Sequence, residues 1–155
     1  MATTYVLEPL STEAATAIRA GGGMRYVADS KPGFPCRACL RDAEIGEELL
    51  LVSHDPFDAD SPYRSAGPIF IHSEPCAHAV DLDRPDQLTV RQLAVRAFDG
   101  KAMMIDAAVI DGEDLDDQIA EMFSNVDADH LHVHFAQRGC WAVRVIRNPE
   151  AALAS

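Results

Sequence analysis

The amino-acid sequence predicts an α+β fold, with one domain built on a mostly antiparallel sheet of about five strands and two helices. Three observations support this prediction. The chain has 155 residues, a length typical of one domain with one core. Short apolar or alternating runs of strand length occur along it. Two segments carry the capping residues and apolar spacing of helices, and they do not alternate regularly with the strand-like runs.

The first predicted helix covers residues 11–20. Ser11 can cap its N-terminus, and three glycines at 21–23 end it. The second, clearer helix covers residues 112–124, where Asp111 can act as the cap and acidic residues fill the first turn. Its apolar residues recur at helical spacing, so we expect them to form one buried stripe. The stripe consists of Leu115, Ile119, Met122 and Phe123.

The predicted strands are short runs, most of them bounded by polar, proline or glycine residues. The first contains four consecutive aliphatic residues at 49–52, which is typical of a buried strand. The last two are separated by residues 137–139, a turn of the length that β-hairpins use. We therefore expect the chain to end in a hairpin. Strands are assigned to residues 48–53, 68–72, 92–98, 103–110, 130–136 and 140–147.

The first strand of this hairpin alternates between two kinds of side chain. Leu131, Val133 and Phe135 share one face, which we expect to be buried together with Val143 and Val145. Three imidazoles on the other face could hold a metal ion. The interpretation that we favour is a polar row that faces solvent or lines the sheet. The row consists of His130, His132 and His134.

The composition is that of a globular protein with an acidic surface. Hydrophobic residues make up 48% and charged residues 25%, so extensive disorder is not expected. The formal net charge of −12 repels phosphate backbones and anionic lipids, so neither nucleic acid nor a membrane surface is an expected partner. The N-terminal residues lack a signal-peptide pattern, and no apolar run approaches the roughly 18 residues of a membrane span. We therefore expect a cytoplasmic protein.

We expect the domain to span residues 1–155, with its core in residues 32–147. Residues 148–155 are expected to form a flexible tail. An exposed sheet edge is expected beside the final hairpin, and such an edge could pair with a second copy in a homodimer. No pattern identifies a small-molecule ligand or a protein partner.

The first half of the chain contains a cluster of cysteine and histidine residues. Cys36 and Cys39 form a CxxC, and His72 and Cys76 follow further along. If the strands at 48–53 and 68–72 pair antiparallel, the start of the first and the end of the second lie at one edge, so the two halves of the cluster meet. Thiolate and imidazole are the ligands that Zn²⁺ prefers. The predicted zinc ligands are Cys36, Cys39, His72 and Cys76.

Two other interpretations of these residues stay open. The cysteines can be small buried apolar side chains, as free cysteines often are. They can also be reactive, with Cys36 or Cys76 as a nucleophile or redox thiol and His72 or His78 as the base. Three further residues could position an anionic substrate for such an enzyme: Tyr63, Arg64 and Arg96.

Several stretches resemble, in the same order, the motifs of a family of small bacterial proteins catalogued only as a domain of unknown function. The resemblance spans residues 32–147, most of the chain. It implies a compact single-domain protein and no particular activity. The stretches are residues 32–43 (PGFPCRACLRDA) with Gly46 and Glu47, residues 61–63 (SPY) and 67–72 (GPIFIH) with Pro75 and Cys76, residues 96–99 (RAFD), and residues 139–141 (GCW) with Arg144.

The sequence is thus compatible with two kinds of function, a binding protein and an enzyme. The first is a small cytosolic binding module that contains a structural zinc site. The second is a thiol-dependent enzyme or redox protein that uses Cys36 or Cys76. The relative positions of the cysteine and histidine side chains separate the two, and so does the metal content of the purified protein.

Overall fold

A computed structural model of the protein describes residues 5–76 and 85–148. In this part of the chain the strands that lie next to each other are all antiparallel, which confirms the predicted α+β class. The helices are α1 (Thr12–Gly21), α2 (Asp86–Thr89) and α3 (Leu115–Phe123). The strands are β1 (Tyr5–Glu8), β2 (Met24–Val27), β3 (Glu48–His54), β4 (Gly67–His72), β5 (Gln92–Phe98), β6 (Met104–Asp111), β7 (His130–Phe135) and β8 (Trp141–Arg147).

The strands form two sheets rather than the one that was predicted. The larger has five strands in the order β1-β8-β7-β5-β6, and the smaller has three in the order β2-β3-β4. The pairing of β3 with β4 places Leu49 opposite His72, so the antiparallel arrangement expected for these two strands is confirmed.

The main core lies between the five-stranded sheet and α3. Both residue sets predicted to be buried belong to this core: the helical stripe Leu115, Ile119, Met122 and Phe123, and the hairpin set Leu131, Val133, Phe135, Val143 and Val145. Both predictions are therefore confirmed. Burying an aliphatic or phenyl side chain stabilises a fold by about 1.5–3 kcal/mol, so this layer is the main source of stability.

The ends of the helices differ in detail from the predictions. Ser11 caps α1 as expected, since its hydroxyl accepts a hydrogen bond from the Ala14 amide at 3.1 Å. Asp111 makes no such side-chain bond, and a short 3₁₀ turn at Gly112–Asp114 leads into α3. Gly112 is required there, because a Cβ atom would lie 1.9 Å from the Leu88 carbonyl oxygen.

The histidine row lies on the face of β7 opposite Leu131 and Val133, but this face is also buried. His132 is only 1% exposed. The segment between β3 and β4 covers the row, and its Phe57 ring lies 4.9 Å from the ring of His132. The row therefore lines the sheet, which was one of the two positions expected for it, and does not face solvent.

The prediction of an open sheet edge beside the final hairpin is wrong. β7 pairs with β5, and β8 pairs with β1, so both sides of the hairpin are covered. The cause is β1, a strand of four residues that the sequence pattern did not reveal. In the described residues the five-stranded sheet ends instead at β1 and β6. A homodimer stays an untested expectation.

Most of the predicted tail, residues 149–155, lies outside the described residues, as does His78. None of the helices in the described ranges has the length and apolarity that crossing a membrane requires.

Candidate metal centre

The CxxC lies in a tight turn between Pro35 and Asp42, which form an isolated antiparallel bridge. The Leu40 amide donates to the Cys36 carbonyl at 3.1 Å and closes the turn around the two cysteines. Leu40 has φ of 55°, a left-handed conformation that costs a residue with a Cβ roughly 1–2 kcal/mol. Its side chain is buried in the main core, and that burial offsets the cost.

The three-stranded sheet brings the other half of the cluster to this turn. His72 is the last residue of β4, and Cys76 follows it. Cys36 forms a parallel bridge with Phe70, and the Arg37 amide donates to the Phe70 carbonyl at 3.0 Å. The backbone thus fixes the CxxC turn beside the end of β4.

The four side chains predicted from the sequence meet at one point. Their potential ligand atoms all lie within 4.8 Å of one another. Cys36 Sγ is 3.8 Å from Cys76 Sγ, and Cys39 Sγ is 3.6 Å from His72 Nδ1. Around a tetrahedral Zn²⁺, bonds of about 2.3 Å to sulfur and about 2.0–2.1 Å to nitrogen place two sulfurs about 3.8 Å apart and a sulfur about 3.5 Å from the nitrogen. These two separations match that geometry.

The imidazole of His72 is oriented by a carboxylate. Its Nε2 lies 3.1 Å from Glu47 Oε1, a distance at which a protonated Nε2 donates to the carboxylate. With the proton on Nε2, the lone pair of Nδ1 points toward the cysteines. Histidine ligands of metals usually donate their second ring N–H to a carboxylate, a carbonyl or water in this way.

Hydrogen-bond donors also surround the sulfurs. Arg19 Nη2 donates to Cys76 Sγ at 3.3 Å, and Arg19 Nε donates to the His72 carbonyl at 3.0 Å. The His72 amide donates to Cys36 Sγ at 3.4 Å. Three thiolates around one divalent cation would carry a net charge of −1, which the Arg19 guanidinium would offset.

The close approach of the thiols perturbs their protonation. Hydrogen bonds from Cys39 and Cys76 lower the pKa of Cys36, and the hydrogen bond to Cys36 raises the pKa of Cys39. Hydrogen bonds to Cys36 and Cys76 raise the pKa of His72 to about 10. These shifts follow from the short distances among the three sulfurs and the imidazole, which let a thiolate at Cys36 be stabilised by its neighbours.

The cluster is closed to solvent on most sides. Cys36 is 0% exposed and Cys39 is 4% exposed, while Cys76 is half-buried. Apolar side chains, among them Leu50 and Ile71, pack around it. Such a shell lowers the local dielectric and keeps water from the sulfurs.

The remaining residues singled out in the sequence lie elsewhere. Cys140 is at the turn between β7 and β8, where its Sγ accepts from Arg37 Nη2 at 3.0 Å. Tyr63 and Arg96 line a separate cavity. Arg64 forms an ion pair with Asp55 on the surface.

Sequence reasoning missed the residues that surround the ligands, Glu47 and Arg19. Glu47 follows Gly46 at the end of the first family-like stretch, which is a weak signal for a functional role. No sequence pattern connects Arg19, on α1, to a cysteine that follows it by more than fifty residues.

The chain belongs to the family described as "Protein of unknown function (DUF1203)", whose model matches residues 33–147. No curated protein and no solved structure matches the chain.

Proposed function

We propose that this protein is a small binding domain whose fold is held together by one structural zinc ion. The ligands are the thiolates of Cys36, Cys39 and Cys76 and the Nδ1 atom of His72. The observation that carries the proposal is the meeting of these four ligand atoms within 4.8 Å of one another, with two of their separations matching a tetrahedral zinc site.

Two features favour a structural role over a catalytic one. Four protein ligands complete a tetrahedral shell, whereas catalytic zinc sites keep a position for water or substrate. The ligands also come from two segments, the CxxC turn and the end of β4, so the ion would crosslink them. This is the arrangement in which metal binding contributes directly to folding.

The thiol-enzyme alternative finds less support. A nucleophilic cysteine must be reached by its substrate, and the Cys36 side chain is fully buried. Cys76 is more exposed, but its sulfur is held by Arg19 and lies against Cys36. A fast-reacting Cys76 in protein free of metal would favour this alternative.

Metal analysis of the purified full chain tests the proposal. We expect close to one equivalent of zinc per chain, and a visible spectrum typical of tetrahedral thiolate coordination after replacement by Co²⁺. The variants C39S and C76S should each lower zinc content several-fold. C140S is the matched control, because Cys140 lies outside the cluster, and it should retain the zinc.

Two results would overturn the proposal. One is wild-type protein that stays free of metal after purification and incubation with zinc. The other is a loss of zinc in C140S equal to that in C76S, which would mean that the loss follows from general destabilisation.

A further inference from the structure

A cavity of about 190 Å³ lies on the face of the five-stranded sheet that carries the histidine row. The segment between β3 and β4 forms one wall, and the turn between β7 and β8 forms another. Its volume is below the roughly 300–1,000 Å³ of pockets for drug-sized ligands, so any occupant is small. The cavity is separate from the cysteine cluster.

The charge of this cavity is opposite to that of the protein. The chain has 25 acidic residues and a net charge of −12, yet none of the described residues that line the cavity is acidic. Two guanidinium groups line it, those of Arg96 and Arg138. Neither has a carboxylate partner among the described residues, whereas Arg144, on β8 of the same sheet, is paired with Asp58 at 3.0 Å and with Glu8.

Arg96 is held by an uncharged acceptor. Its Nη1 lies 3.4 Å from His134 Nε2. The other ring nitrogen, Nδ1, lies 2.9 Å from the Gly139 carbonyl and donates to it, so Nε2 carries the lone pair that faces Arg96. This contact orients the guanidinium without neutralising it, and leaves its other N–H groups for a ligand.

Several aromatic side chains line the cavity. Trp141 lines the cavity and is 7% exposed. Its buried Nε1 has no hydrogen-bond partner among the described residues. Its ring lies 5.6 Å from that of His54, while Phe98 and Tyr63, 6.1 Å apart, supply further apolar surface. A buried donor without a partner is rare in proteins.

From these contacts we propose that the cavity binds a small organic oxyanion, a carboxylate or a phosphate monoester with a planar apolar body. The Arg96 guanidinium binds the oxyanion, and the ring of Trp141 packs against the apolar body. This inference extends the proposed function, because it assigns the binding surface. It does not require that the cysteine cluster hold zinc, so zinc content and ligand binding can fail independently.

Trp141 is the only tryptophan of the chain, so intrinsic fluorescence reports directly on the cavity. The purified full chain is titrated with benzoate, phenyl phosphate, inorganic phosphate and the uncharged benzamide at constant ionic strength, with correction for ligand absorbance. We expect saturable binding of benzoate or phenyl phosphate at least tenfold tighter than that of benzamide and of inorganic phosphate. Which of the two organic anions binds more tightly shows whether the site prefers a carboxylate or a phosphate monoester. Equal affinity for benzamide, or no saturable change with any probe, would overturn the proposal.

The variant R96Q should weaken binding of the organic anion at least tenfold. R96K keeps the charge but loses the planar fork, so it should fall between R96Q and the wild type. R25Q is the matched control, since it removes the same charge from a surface arginine paired with Glu48, and it should bind within twofold of the wild type. Unchanged affinity in R96Q, in protein that keeps its circular dichroism spectrum, would contradict the role of Arg96.

Cys140, which also lines the cavity, provides a second measurement. Iodoacetate carries a carboxylate and iodoacetamide does not; with either, the Cys140 sulfur displaces iodide and forms a thioether. We expect the ratio of iodoacetate to iodoacetamide labelling at Cys140, mapped by mass spectrometry, to fall at least several-fold in R96Q. The same ratio in the wild type and in R96Q would contradict an oxyanion site beside this sulfur.

Discussion

Arg37 is a guanidinium that is 1% exposed and has no carboxylate partner among the described residues. It donates instead to the Trp141 carbonyl at 2.9 Å, the Pro35 carbonyl at 2.6 Å and the Cys140 sulfur at 3.0 Å. Burial lowers the pKa of the Arg37 side chain, because removing the guanidinium from water disfavours its charged form. One residue inside the CxxC thus connects the cysteine cluster to the start of β8.

His132 and His134 lie in surroundings that disfavour their protonation. Burial lowers the pKa of His132 to about 3 and that of His134 to about 4, from an ordinary value of 6.5. Electrostatic interactions with His130, His134 and Arg144 lower the pKa of His132 further, and the interaction with Asp58 acts in the opposite direction. The folded state therefore holds both imidazoles neutral at pH values where the unfolded chain protonates them.

The first prediction at this scale concerns pH. Because the folded pKa values lie below the unfolded value, the contribution of these neutral histidines to stability is complete above pH 6.5. It is lost as the pH falls to about 4 for His134 and to about 3 for His132. In that window each histidine should lower the free energy of unfolding by up to about 1.4 kcal/mol per pH unit. The measurement is urea unfolding at several pH values, for the wild type and for H132F.

The variant isolates one histidine, because protonation of the cysteine cluster acts on both proteins alike. H132F also removes the buried Nδ1, which has no hydrogen-bond partner among the described residues. Below pH 6.5, the free energy of unfolding of H132F should fall less steeply with decreasing pH than that of the wild type, by up to about 1.4 kcal/mol per pH unit. Equal slopes would show that His132 is not held neutral.

Single residues differ in how far the sequence could predict them. The cysteine cluster was predictable because a short turn, two adjacent strands and antiparallel pairing leave few positions for Cys39 and Cys76. Glu47 and Arg19 were not, because their roles depend on side-chain contacts between distant segments. The burial of the histidine row was not predictable either, since alternation shows which residues share a face but not whether another segment covers it.

At the scale of elements, α3 is the clearest case of a helix defined by its apolar stripe. Leu115→Asp should lower the free energy of unfolding by about 4 kcal/mol, because it removes buried apolar contacts and places a carboxylate in the core. The measurement is chemical denaturation followed by circular dichroism.

Val126→Asp is the matched control for this variant. It introduces the same charge at an apolar residue that is 89% exposed, just beyond α3. Its effect should stay within about 0.5 kcal/mol. A similar loss of stability in both variants would show that added negative charge, and not the burial of the stripe, destabilises the protein.

The elements that the sequence failed to predict share a physical cause. β2 has only four residues and all of them are exposed, so no buried apolar face marks it as a strand. β1 and α2 have four residues each, too few to show a period. Their positions are set by partners far along the chain, since β1 pairs with β8 near the other end of the described residues. Local patterns contain no information about such partners.

At the scale of the whole molecule, the proposed zinc site and the main core stabilise different parts. The large apolar layer joins α3 to the five-stranded sheet. The cysteine cluster lies in a second, smaller apolar cluster that joins the three-stranded sheet to the CxxC turn and to Trp141. Removing the metal should therefore affect the two sheets unequally.

Hydrogen exchange on the chelated protein tests this last point. After removal of zinc with EDTA, the amides of Arg37 and Leu40 should exchange at least about tenfold faster, because their bonds to Phe70 and Cys36 hold the turn only while its sulfurs are fixed. The amides of β7 in the main core should change much less. Returning zinc should restore the slow exchange, which controls for irreversible damage. Equal acceleration in both regions would mean that the two sheets open as one unit, and no change in either would mean that no metal holds the turn.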